Sequence, residues 1–238
     1  DILHQPERVI IEYNGMWLVS NFEKMQLPKG WGVEQQITCV DGSTFQMYMA
    51  NMKSIFMDMI KNTDMVIFNR CKKEDPLPTY RRGIKVANQR AEVIFEDEEG
   101  ELGDIFQDEM PFDMNAPVIE ILPEDYGIWF VDAMDHPENY EGKTVKFKAR
   151  VMKPRGMGSK FFVPGRTAMT CCADDTTFLG YVCKSAYAPK LTPGEWVEVT
   201  AKVGIEKRNE YQGEEGIVLA AEHVEQCDPL EDEMVYFN

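Results

Sequence analysis

The stretch TVKFKARV, Thr144 to Val151, alternates without a break: Val145, Phe147, Ala149 and Val151 on one side, Lys146, Lys148 and Arg150 on the other. Successive side chains of a strand point to opposite faces, so this pattern fits a half-buried strand and no helix. WVEVTAKV repeats it, with Val197, Val199, Ala201 and Val203 inward. Between and after these lie KFFV, RTAMTCC, FLGYVCK and GIVLAAEHVEQ. Five or six short strands separated by turn residues within about 80 residues suit a small closed or partly closed barrel better than a sandwich. A helix leads into them over PEDYGIWFVDAMDHPENYEG: Pro123, Glu124 and Asp125 suit a first turn, Tyr126, Trp129, Phe130, Ala133 and Met134 form an apolar stripe, and Pro137 and Gly142 end it. The expectation is an α+β, β-rich chain whose C-terminal part is an OB-like small β-barrel preceded by a helix.

The chain has 238 residues, 44% of them hydrophobic, enough for two domains. No run of about 18 apolar residues is present, so no transmembrane helix is expected. Asp1 in place of Met suggests a processed form or a trimmed piece of something longer. The net charge of −16 repels phosphate backbones and anionic lipid surfaces, so no nucleic-acid partner is expected. The charge is uneven: from Arg90 to Lys143 no Lys or Arg intervenes, and that interval carries seventeen acidic residues. Its middle, EDEEGELGDIFQDEMPFDMNAP, mixes acids with Gly and Pro and keeps no period, as a solvated connector would. Asp97, Glu99 and Gly100 lack the ligand spacing of a calcium loop. The predicted organisation is an N-terminal α+β domain over 1–95, an acidic linker over 96–117 and the barrel with its leading helix over 118–238.

In the first domain RVIIEY and GMWLV read as strands, and EQQITCVDGSTFQMYM as a hairpin turning at Asp41-Gly42, a pair that tolerates the positive φ of a type I′ turn. In ANMKSIFMDMIKN, Met52, Ile55, Phe56, Met59 and Ile60 fall on one helical face. DMVIFNR reads as a strand, KKEDPLPTYRRG as a loop and IKVANQRAEVIFED as a further strand pair. The methionines from Met47 to Met65 could suit Cu(I), but their helical spacing favours core packing.

From Val118 onward the order HPENYEGKTVKFKARV, FFVPGRTAMTCCADD, GEWVEVTAKV and GIVLAAEHVEQ resembles the YcgQ-like permease-subunit family, a bacterial domain-of-unknown-function group. The sequence departs from that pattern in lacking membrane helices and in placing Pro164-Gly165 before Arg166 where an apolar-Ala step is more usual. The resemblance implies a non-enzymatic, extracytoplasmic accessory domain, membrane-anchored in the full-length protein, whose partner is a multi-spanning permease. Transition-metal handling, with zinc as the ion, is its implied theme.

GRTAMTCCADDTTFLGYVCK holds three of the six cysteines. If its strand is regular, Cys171 and Cys172 face opposite ways. A metal site would need three or four converging ligands, and the candidates are Cys171, Cys172, Cys183, Asp174, His223 and Cys227. A disulfide from Cys171 or Cys172 to Cys183 needs only two residues, and free cysteine serving as a small hydrophobe needs none. Arg166, among apolar neighbours, wants a carboxylate. Asp174 is the candidate, either as a structural partner or as part of a ligand-binding pair. No catalytic motif is present, and spacing alone does not support pairing Cys171 or Cys172 with His223 as nucleophile and base. No enzyme is expected: the first reading is the non-enzymatic accessory domain, and the alternative is a structural protein- or ligand-binding module whose cysteines are purely structural.

Overall fold

A computed structural model describes residues 6–103, 110–169 and 176–235. The N-terminal part is a three-stranded parallel sheet in the order β1 (Ile37–Asp41), β2 (Met65–Asn69), β3 (Glu92–Phe95). Helix α1 (Val19–Glu23) precedes it, and α2 (Phe45–Ile60) and α3 (Leu77–Ala87) form the two crossovers. Parallel neighbours require such long returns, and here each return is a helix. Val40, Val66, Phe68 and Phe95 of the strands pack against Phe45, Phe56, Met57, Ile60, Leu77, Tyr80 and Ile84 of α2 and α3.

Several expectations are corrected in this region. Asp41-Gly42 does not turn a hairpin. The Asp41 carboxylate accepts from the Ser43 amide at 3.0 Å, which caps a short 3-10 turn leading straight into α2. KKEDPLPTYRRG is not a loop throughout and IKVA is not a strand: α3 covers Leu77–Ala87. Proline is harmless in a first helical turn, and Leu77, Tyr80 and Ile84 stack one face against the sheet. RVIIEY and GMWLV are not strands. Residues 8–18 run irregularly, with Ile10 92% exposed, and pair with none of the described strands.

The C-terminal part is as expected: a closed five-stranded barrel. Its strands are β5 (Thr144–Met152), β6 (Phe161–Met169), β8 (Val182–Lys184), β9 (Trp196–Lys207) and β10 (Glu215–Gln226), and β6–β5 pairing closes the ring β6-β8-β10-β9-β5. All contacts in the ring are antiparallel except β8–β10. The predicted inward residues of β5 and β9 are buried, the Val and Phe members each contributing about 1.5–3 kcal/mol of hydrophobic stabilisation. Short strands β4 (Ile119–Glu120), β7 (Thr176–Gly180) and β11 (Met234–Val235) flank the ring. Helix α4 (Tyr126–Asp135) sends Tyr126, Trp129, Phe130 and Ala133 into the same core. Tyr126 Oη donates to the Leu179 carbonyl at 3.0 Å, and Tyr181 Oη to that of Phe130.

Gly165 of β6 lies opposite Gly180 of β7. A Cβ at Gly165 would sit 2.3 Å from the Leu179 carbonyl oxygen and 2.4 Å from the Phe178 ring, a crossing only glycine permits. The two parts touch through α3 and α4: Asp135 takes Arg81 at 3.0 Å and Lys85 at 3.4 Å, and Val86 joins the barrel core. Leu102 belongs to the first core, while Phe112 and Met114 pack on the second. Lys143 donates to the Met114 carbonyl.

Candidate binding cleft at the barrel mouth

The strand order brings together two turns that are far apart in sequence. One joins β5 to β6 and the other β9 to β10. They bound an open cleft of about 620 Å³, lined by residues 154–158 and 207–210. This is the end of a five-stranded barrel where loops between its first and second and its fourth and fifth strands commonly meet ligands. Composition follows the geometry. Residues 143–208 carry thirteen Lys or Arg against five Asp or Glu, a balance of +8, which Glu210, Glu214 and Glu215 at the β9–β10 turn reduce to +5 over 143–215; outside residues 143–208 the chain carries −16 − 8 = −24.

The cleft's cations differ in how they are held. The Arg208 guanidinium lies 4.4 Å from the Phe161 ring centroid and pairs in bidentate fashion with Glu210, Nη2–Oε1 2.9 Å and Nε–Oε2 3.2 Å. Hydrogen bonding holds the Glu210 carboxyl below its usual range and raises Arg208. Arg155 and Lys207 are exposed, and among the described residues neither makes a side-chain hydrogen bond or ion pair. The charge free to meet a ligand is therefore theirs. Nothing in the strand periodicity singles out Lys207 and Arg208. The available signal was the pair of glycines in PRGMGSK facing KR at the end of a long strand.

Among the described residues, the candidates named from sequence do not assemble into one site. Arg166 is 2% exposed, and main-chain carbonyls of Pro123 (2.5 Å), Asp232 (3.1 Å) and Met234 (3.0 Å) accept from it, with the Tyr126 ring centroid 5.6 Å away. Burial pushes its pKa down, opposed by Tyr126, Asp232 and Glu124. It ties the start of α4 and strand β11 to β6. No carboxylate among the described residues forms an ion pair with it, and its expected partner Asp174 lies outside them, as do Cys171 and Cys172. Cys183 is buried in the barrel core, where desolvation pushes its thiol up to about 12. His223 points outward on β10, its ring 3.5 Å from Glu225. Cys227 is half-buried beyond the end of β10, and its thiol too is raised by burial. With Cys183 inside the core and His223 on the surface, these three do not converge. Among the described residues no group of three His, Cys, Asp or Glu could hold a metal ion.

The fold is that of a single five-stranded barrel capped by a helix and joined to a small parallel α/β unit. The chain belongs to the DUF1980 C-terminal domain family, whose profile matches residues 101–237. No curated protein matches it. Among solved structures, it is similar to the mitochondrial single-stranded DNA binding protein Rim1 from S. cerevisiae at 10% identity and a TM-score of 0.22, covering 36% of this chain and 95% of that one. It is also similar to the aspartyl tRNA synthetase from Entamoeba histolytica at 15% identity and a TM-score of 0.26, covering 50% of this chain and 27% of that one. Likeness at this level says nothing about what this chain binds. No helix among the described residues is long and apolar enough to cross a membrane.

Proposed function

We propose that this chain is a non-enzymatic binding module whose working surface is the barrel mouth and whose ligand is an anion. The observation that carries this is the cleft between the β5–β6 and β9–β10 turns, where Arg155 and Lys207 project unpaired from a protein that is otherwise strongly acidic. The described buried thiols support a role without catalysis. Cys183 is pushed up to about 12 and Cys71 to about 11, mainly by desolvation, which is the reverse of an activated nucleophile.

An accessory role beside a multi-spanning permease, on the extracytoplasmic side, belongs to the same proposal and rests on the family resemblance of the residues from Val118. Zinc carriage rests on that resemblance too, and would have to draw on Cys171 and Cys172. Elemental analysis of dialysed protein is its test: about one equivalent of zinc with free thiols supports it, and metal-free protein refutes it.

The anion reading is tested by calorimetric titration of the whole chain with sulfate, citrate and tripolyphosphate. Saturable binding of at least one anion, lost in the charge-reversal pair Arg155→Glu and Lys207→Glu, supports the mouth as the site. If no anion binds, or if binding ignores both substitutions, the proposal fails.

A further inference from the structure

We infer that the ligand of the barrel mouth is a compact oligophosphate, inorganic or borne on a small organic group; this rests on the mouth being the anion site. Three features of the cleft narrow the anion to this class. The first is the number of free cations. Arg208 is held by two carboxylates, Glu210 and Glu206, so the cations of the lining without an ion pair are Arg155 and Lys207, the latter in cross-strand register with Glu215. A ligand engaging both gains most when it carries at least two negative charges. A guanidinium offers a planar fork suited to phosphate oxygens, and an ammonium is a point charge that phosphate also accepts.

The second feature is the backbone of the β5–β6 turn. Gly156 has φ +85°, and no Cβ contact would arise there within 4 Å, so the chain lies open on that side. The Met157 amide donates to the Pro154 carbonyl, whereas the amides of Arg155, Gly156 and Gly158 donate to no carbonyl among the described residues. Exposed amides in a glycine-containing turn beside a cation make a concavity suited to phosphate oxygens.

The third feature is the charge around the cleft, which itself, open and of about 620 Å³, has room for a small ligand. Outside residues 143–208 the chain carries −24, so a long polyanion leaving the mouth would run into a repelling field. Phe161 would be the natural base-stacking platform, but the Arg208 guanidinium already covers it. Both facts disfavour a nucleic-acid strand and favour an anion whose charge is concentrated within the cleft.

The test is calorimetry on the full chain with orthophosphate, pyrophosphate and tripolyphosphate, with citrate and an eight-residue oligothymidylate for comparison. Affinity should rise along the phosphate series and fall severalfold as NaCl goes from about 50 to 300 mM, because salt screens exposed charges. Arg155→Ala and Lys207→Ala should each weaken tripolyphosphate about tenfold, the scale of a lost charged hydrogen bond. Lys202→Ala, in the middle of β9, should change nothing. Both site residues are exposed, so the melting temperature of each unliganded variant should match that of the parent, which separates lost binding from lost folding. Citrate binding at the mouth without tripolyphosphate binding would overturn the oligophosphate assignment and leave the anion site standing. Oligothymidylate binding more tightly than tripolyphosphate, in an Arg155-dependent way, would overturn the compact-ligand assignment in favour of a strand. Tripolyphosphate binding indifferent to both alanine variants would overturn the site itself.

Discussion

Replacing Arg166 by Met should loosen the C-terminal end of the chain more than the barrel around it. Methionine keeps most of the apolar volume of the arginine stem, so no large cavity forms, and what is lost is the guanidinium. Three carbonyl oxygens, of Pro123, Asp232 and Met234, then lose their donor. A buried polar group left unsatisfied costs about 1–3 kcal/mol. Pro123 and Asp232 are exposed and Met234 half-buried, so water can replace part of what all three lose, and the sum should fall to about 2–5 kcal/mol. For a chain of this length that corresponds to a fall in melting temperature of about 5–15 °C. Because the chain has two cores, a single global transition is not assured. The cleaner assay is hydrogen exchange, in which the amides of β11 and the start of α4 should lose protection first while β9 and β10 keep theirs. Arg166→Lys should recover little, since one ammonium cannot reach carbonyls from Pro123 on one side and Asp232 and Met234 on the other. If Arg166→Met unfolds within about 0.5 kcal/mol of the parent and β11 stays protected, the carbonyl clamp is not what holds these elements, and the account of this buried cation is wrong.

Gly165→Ala should destabilise the barrel by about 1–3 kcal/mol, seen as a lower urea midpoint, because its Cβ would meet the Leu179 carbonyl and the Phe178 ring; an unchanged midpoint would refute the close crossing. Iodoacetamide at pH 8 should label exposed Cys39 well before Cys71 and Cys183, with mass mapping as the readout, and equal labelling would contradict their burial. The same two thiols make the fold sensitive to alkali. Each is neutral in the folded chain up to about 11 or 12, whereas the unfolded chain ionises from about 9, so the folded state binds more protons in that window. Stability should be intact below pH 9 and should fall as pH rises beyond it; a flat series of urea midpoints from pH 8 to 10.5 would be inconsistent with this. Asp135→Ala leaves Arg81 and Lys85 side by side without their carboxylate and should cost about 1–2 kcal/mol, discounted for partial exposure. The readout is faster limited proteolysis across 96–117, and an unchanged rate would mean that these pairs do not hold the two parts together.

What could be read from the sequence divides along physical lines. A strand with one face in a core must alternate, so TVKFKARV and WVEVTAKV announced both their structure and their buried faces, and with them the barrel. Where periodicity and local chemistry pointed different ways, local chemistry misled. Pro76 and Pro78 looked like loop residues, although Leu77, Tyr80 and Ile84 already carried a helical spacing. RVIIEY has every local mark of a strand and is none, because a strand exists only through a ladder partner, and pattern within one segment cannot supply it. The cleft fails to show for a related reason. Arg155 and Lys207 come to line one cleft only when β5 and β6 on one side and β9 and β10 on the other close into one ring. The cysteines drew attention because they are adjacent in sequence, whereas the described ones are dispersed by the same closure, Cys183 into the core and Cys227 to the rim. In a barrel, sequence adjacency divides residues between inside and outside, while ligand sites gather at the ends where turns meet. That is the physical ground for expecting the unpaired charges of the mouth, and not the adjacent Cys171 and Cys172, to determine what this protein binds.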